Sequence, residues 1–197
     1  MNTPLLVSNI TLWILLAGLA LTVVALARQI GVLHERIAPA GALMVSGGPK
    51  VGEAAPVLDL TDVDGHDISI GAVRSDAKST LMFFLSPNCP VCKTLLPVLK
   101  SSQKSERDWL EIMLASDGDA GEQQTFIDEY KLRNFTYILS SNLGLTYQVG
   151  KLPFAVLLDH DGIIRSKGLV NSREHLESLF EAKERGVASV QEYISNL

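Results

Sequence analysis

An α/β fold with a mixed sheet, preceded by a single membrane-spanning helix, is what this sequence predicts, and three observations carry it. No charged residue occurs from Leu5 to Ala27. An unbroken apolar run, "STLMFFL" from Ser79 to Leu85, gives way to apolar residues at helical spacing, Cys92, Leu95, Leu96 and Leu99. Two turn signals, Asp64-Gly65 and "DHDG" from Asp159 to Gly162, each sit between runs of strand character.

The elements follow in order. At about 1.5 Å rise per residue the uncharged stretch reaches roughly 34 Å, against an apolar bilayer core of about 30 Å. A cleavable signal peptide competes, because Ala25-Leu26-Ala27 would suit a peptidase. Against it, no Lys or Arg precedes the stretch and the apolar run is too long. The sequence therefore predicts a retained anchor over residues 1–37 with its span at about 5–27; "IGVLHERI" prolongs the helix and Pro39 stops it. A small-residue linker covers 38–50, and a folded domain covers 51–197.

Within that domain Val57 to Leu60 and Ile68 to Ile70 form a β-hairpin around the first turn. Ser79 to Leu85 is a strand buried on both faces, and the cysteine-bearing helix follows it. Leu110 to Ala115 is a further apolar run, then come a helix over Glu122 to Leu132 and a strand over Phe135 to Leu139. Phe154 to Leu158 and Ile163 to Val170 flank the second turn. Ser172 caps a last helix whose period is carried by Leu176, Leu179, Phe180, Val187, Val190 and Ile194. Hairpin, two βα units, a strand, a second hairpin and a helix suit a layered α/β fold with a mixed sheet.

The formal net charge is -5, and Lys and Arg form no stripe, which excludes nucleic acid as a partner. Chemistry concentrates in "SPNCPVCK", Ser86 to Lys93, which holds the chain's two cysteines. Cys89 falls where a buried strand ends and a helix begins. Unpaired N–H groups and the positive end of the helix dipole there favour an anion. Such placement lowers a thiol pKa from about 8.5 to roughly 3.5–7.5, which makes Cys89 the nucleophile. Cys92, one turn into the helix, is the resolving thiol. A zinc site requires four ligands, and His34, His66, His160 and His175 are scattered, so neither metal nor cofactor is expected beyond a redox-active Cys89-Cys92 disulfide. A bridge this short cannot staple distant chain.

"VGEAAPVLDLTDVDG" from Val51, the SPNCPVCK site and "VGKLPFAVLLDHDGIIRSKG" from Val149 resemble the thioredoxin-like superfamily, in its membrane-anchored branch, over about Val51 to Phe180. That resemblance implies a thioredoxin-like fold with an N-terminal β-hairpin extension. It puts Pro97 inside the active-site helix and Pro153 at the cis-proline position against the cysteine pair. The backbone of Leu152 would dock an extended client segment, with Pro90 and Val91 beside it. Over nearly its full length the chain also resembles the MauD family of methylamine-utilisation accessory proteins, through "ARQIGVLHERIAPAGAL" from Ala27, the cysteine site, "KLPFAVLLDHDG" and "GVASVQEYI" from Gly186. This closer resemblance implies maturation of methylamine dehydrogenase in the periplasm. The client would be its disulfide-rich small (beta) subunit, and a polytopic membrane thiol-electron carrier would recycle the pair.

Two departures bear on direction. Asn88 stands where thioredoxins usually have Trp, and Phe83 where they often carry a buried carboxylate. Without that carboxylate the Cys89 thiolate loses a destabilising neighbour. A stabilised reduced form makes the disulfide more oxidising, and Pro90-Val91 likewise resembles the oxidising members. An oxidant or isomerase is expected. Two rivals stand beside it. A peroxiredoxin-like peroxidase would use the Ser86 hydroxyl, although Met82 stands where that family has proline; a non-catalytic assembly factor would only hold the immature dehydrogenase at the membrane. Arg28 and Arg36, after the span, lean toward a cytoplasmic domain. An oxidising dithiol works outside the cytoplasm, so the expectation is a single-pass inner-membrane protein with a periplasmic C-terminal domain.

Overall fold

A computed structural model describes residues 3–36 and 48–185. Most of the linker and the tail from Gly186, with Val187, Val190 and Ile194, lie outside the described residues. The chain divides into two units, Met1–Ala42 and Leu43–Leu197.

The first unit holds one helix, α1 (Thr3–Arg36). Its Leu5–Val24 segment has mean hydropathy 2.1 and buries nothing inside the protein, so it is long and apolar enough to cross a membrane. A helix apolar all round suits an apolar medium, which makes this one a candidate membrane span. Thr11 and Thr22 fit such a medium because their hydroxyls donate back to the carbonyls of Val7 (3.0 Å) and Gly18 (2.7 Å).

The second unit is built on a five-stranded sheet in the order β5-β4-β3-β6-β7. Its strands are β3 (Ser79–Phe84), β4 (Leu110–Ser116), β5 (Thr136–Leu139), β6 (Phe154–Leu158) and β7 (Ile164–Leu169). β3, β4 and β5 run parallel, while β6 is antiparallel to both β3 and β7. All six β3 residues are buried, which is why the sequence shows no alternation there.

Alternation still sorts the two faces. Leu81 and Phe83 join one core with α2 (Pro90–Ser105), α3 (Ala120–Glu129) and α5 (Arg173–Arg185). Met82 and Phe84 join the other, covered by α4 (Ser141–Thr146) and by the hairpin β1 (Leu58–Thr61) and β2 (Asp67–Ile70). The hairpin is a ladder of its own, Leu58↔Ile70 to Thr61↔Asp67. In its turn Asp62 Oδ1 accepts from the amides of Asp64 and His66, and Gly65 takes φ +90°. Isolated bridges join Ala54 to Ile163 and Asp62 to Ile138, so the extension touches both outer strands.

Two differences from the expected elements have local causes. α3 starts earlier because Asp119, not a later residue, caps it by accepting from the Glu122 amide at 2.9 Å. It also ends before Leu132, since Lys131 adopts φ +52°. The short α4 is an element the hydrophobic pattern did not announce; Ser140 caps it through the Leu143 amide at 3.2 Å.

Candidate redox site

β3 delivers the chain to the site. Beyond Phe84 the Leu85 amide donates to the Ala115 carbonyl (2.9 Å) and the Ser116 hydroxyl to the Leu85 carbonyl (3.0 Å), so the exit of β3 is fastened to the end of β4. A tight turn follows. The Cys89 amide donates to the Ser86 carbonyl at 3.0 Å, and the Asn88 amide to the Ser86 hydroxyl at 3.3 Å.

Cys89 is the N-cap of α2, with extended backbone (φ -94°, ψ 108°). Its sulfur accepts the Cys92 amide at 3.2 Å, the role a Ser or Asp oxygen plays in an ordinary cap. Pro90 occupies the first turn, where its missing N–H costs nothing. Cys89 and Cys92 are joined as a disulfide with Cα atoms 5.3 Å apart. Their exposures differ. Cys92 is wholly buried among Leu95, Leu96 and Leu99, while Cys89 is partly exposed. Of the pair, only Cys89 is therefore open to solvent.

Phe83 is fully buried in the same core cluster as Cys92, so an aromatic ring stands where a buried carboxylate would. The carboxylate tied to this loop comes from elsewhere: Asn88 Nδ2 donates to Glu122 Oε1 at 2.9 Å. Sequence reasoning missed Glu122. The signal was present as Asp119-x-x-Glu122, a capping pattern that sets the acid in the first turn of α3. The parallel pairing of β3 and β4 then brings that turn beside the end of β3.

The Leu152-Pro153 peptide is cis. Pro153 is buried, and its carbonyl accepts the Val170 amide at 3.1 Å. Because Phe154 pairs with Phe84, the start of β6 lies against the end of β3, and Leu152-Pro153 emerges at the same edge of the sheet as SPNCPVCK. Leu152 (38%) and Val91 (40%) are exposed apolar side chains at that edge.

Three of the four histidines are engaged apart from one another: His66 with Asp62 at 3.0 Å, His160 with Asp161 at 3.5 Å, and His175 with the Asn171 amide at 3.3 Å. The Asp62 hydrogen bond, then its charge, raises the His66 pKa. Among the described residues no group of three or more His, Cys, Asp or Glu could hold a metal ion.

A sheet edge that presents a cysteine-capped helix, with a closed dithiol and a cis-proline loop alongside, defines a thiol-disulfide oxidoreductase of thioredoxin-like fold, whose redox group is its own disulfide rather than a cofactor. The sequence matches the Redoxin family over residues 50–183. It is 43% identical over 196 residues to the methylamine utilization protein MauD of Paracoccus denitrificans, covering 100% of this chain and 97% of that one. It is also 25% identical over 137 residues to the thiol-disulfide oxidoreductase ResA of Bacillus cereus, covering 67% of this chain and 78% of ResA. Among solved structures, a putative thiol:disulfide interchange protein DsbE from Chlorobium tepidum superposes with TM-score 0.60 at 18% identity, over 70% of this chain and 99% of that one, a likeness of fold. The chain belongs to the MauD family, within the redoxins.

Proposed function

We propose that this protein exchanges disulfides in the service of methylamine utilisation, with Cys89 as the exchanging sulfur and Cys92 as its resolving partner. One observation carries the reading: Cys89, at the cap of α2, is partly exposed and its sulfur accepts the Cys92 amide, while Cys92 is buried. A client thiolate attacks Cys89, opening the Cys89-Cys92 bond and releasing Cys92 as thiolate. The second client thiol then attacks the mixed disulfide and frees Cys89. Two electrons pass from the client to the pair, and the client gains a disulfide.

Run in reverse at a wrong bond, the same steps open it to a dithiol and leave the Cys89-Cys92 pair oxidised, and the forward steps then close a different bond. Phe83 in place of a buried carboxylate favours the oxidising direction. Leu152, Pro153, Pro90 and Val91 supply the edge on which an extended client segment docks.

The relative's name points to methylamine metabolism. The client is the small subunit of methylamine dehydrogenase, a membrane thiol-electron carrier reoxidises or rereduces the pair, and α1 anchors the protein in the inner membrane with the Leu43–Leu197 unit in the periplasm. A Cys92→Ala variant tests this, because it leaves Cys89 with no partner to resolve a mixed disulfide. Non-reducing gels and mass spectrometry of the stalled adduct are expected to identify the dehydrogenase small subunit. No adduct, together with normal maturation by a Cys89→Ser, Cys92→Ser double variant, would sink the exchange reading.

A further inference from the structure

We infer that the Glu122 carboxylate, held to the active-site loop by Asn88, is the charge that limits how strongly the Cys89-Cys92 disulfide oxidises. The inference rests on Cys89 being the exchanging sulfur. The first turn of α2 contains no acidic residue, and Phe83 fills the buried position on β3. Asn88 directly precedes Cys89 and donates to Glu122 Oε1 at 2.9 Å. From the other side the Glu122 amide is fixed by Asp119 Oδ1, also at 2.9 Å. Asn88 thus holds the exposed carboxylate on the order of 10 Å from the Cys89 sulfur by chain geometry, while the helix cap fixes the Glu122 backbone.

Its effect has a definite sign. When the disulfide takes two electrons and one proton it leaves Cys89 as thiolate and Cys92 as thiol. A nearby negative charge disfavours that thiolate. It therefore destabilises the reduced pair and makes the disulfide a weaker oxidant than the helix terminus and Phe83 alone would. Glu122 opposes them.

Glu122→Gln keeps an oxygen to accept from Asn88 and removes the charge. The full chain in nonionic detergent is equilibrated with reduced and oxidised glutathione, and the dithiol fraction is counted by alkylation and mass spectrometry. At low ionic strength Glu122→Gln is expected to raise the ratio of dithiol to disulfide about two- to threefold, because an exposed charge at that distance acts largely through water. The Cys89 thiolate absorbance is expected to titrate at lower pH, and the difference from wild type to shrink in molar salt. Asn88→Ala, which frees the carboxylate to move away, shifts the ratio the same way by less. Glu129→Gln removes the same charge at the far end of α3 and leaves the ratio unmoved.

A Glu122→Gln ratio within about 1.5-fold of wild type, or an equal shift from Glu129→Gln, overturns the inference while the exchange reading stands. Wild-type protein that does not equilibrate with glutathione at all overturns the exchange reading, and the inference with it.

Discussion

Tyr147, at the C-terminal end of α4, offers a sharp test of how the second face of the sheet is packed. It is 2% exposed, and its ring centroid lies 6.1 Å from that of Phe84. Its hydroxyl is buried with no hydrogen-bond partner among the described residues. An unsatisfied buried hydroxyl costs about 1–3 kcal/mol. Tyr147→Phe removes the oxygen and keeps the ring, so the gap left is small and its cavity cost stays below about 1 kcal/mol. The expected result is a gain of about 1 kcal/mol, or about 3 °C in Tm for a domain of this size.

Thermal and urea unfolding of the full chain in nonionic detergent, followed by near-UV circular dichroism, measures it. Repeating the comparison against pH adds a second, independent readout. Burial pushes the Tyr147 phenol up to about 12. The unfolded chain releases that proton near pH 10, so wild type loses stability between about pH 10 and 12 that the Phe variant keeps. The gap between the two proteins is flat below pH 9 and widens above 10. A variant less stable than wild type by 1 kcal/mol or more would mean that the hydroxyl has a partner, and would refute the packing account.

The hairpin turn gives a pH-dependent companion. The Asp62 hydrogen bond raises His66 above its ordinary pKa, so the pair's contribution is fully present below about pH 6.5 and is lost as pH rises through the folded midpoint. Asp62→Asn keeps the acceptor for the Asp64 and His66 amides, and proton NMR is expected to show the His66 midpoint falling. Membrane orientation is checked by alkaline phosphatase fused after Leu197: activity in intact cells is expected, and an inactive but stable fusion contradicts the periplasmic placement.

What the sequence made legible depended on how local the cause was. β3 could be read because burial on both faces writes itself as six apolar-tolerant positions in a row. The cysteine cap could be read because three residues separate the sulfur from the amide that bonds it. α4 could not, since six residues with Gly144 among them complete too few turns to establish a period. The Asn88–Glu122 contact joins residues 34 apart in the chain. It depends on a parallel strand pairing that no local pattern encodes. The two faces of the sheet lay between these cases: alternation separated Phe83 from Phe84, but what covers each face was a matter of topology.

The segment ahead of β1 has a bearing on how this protein behaves in a crowd. Gly52 donates to the Ile164 carbonyl at 2.8 Å, and the Ile164 amide donates to Glu53 at 3.0 Å. At the opposite border the Val63 amide donates to the Tyr137 carbonyl at 3.0 Å. The chain from Gly52 through the turn after β1 thereby occupies hydrogen-bonding groups on both border strands, where a neighbouring copy could otherwise add itself strand to strand. A soluble fragment begun at Val57 would retain every residue of the cysteine site and leave Ile164 open to self-association. Lys167 reaches farther still, donating to the Pro49 carbonyl at 2.8 Å. A fragment meant to stay monomeric therefore begins no later than Gly48.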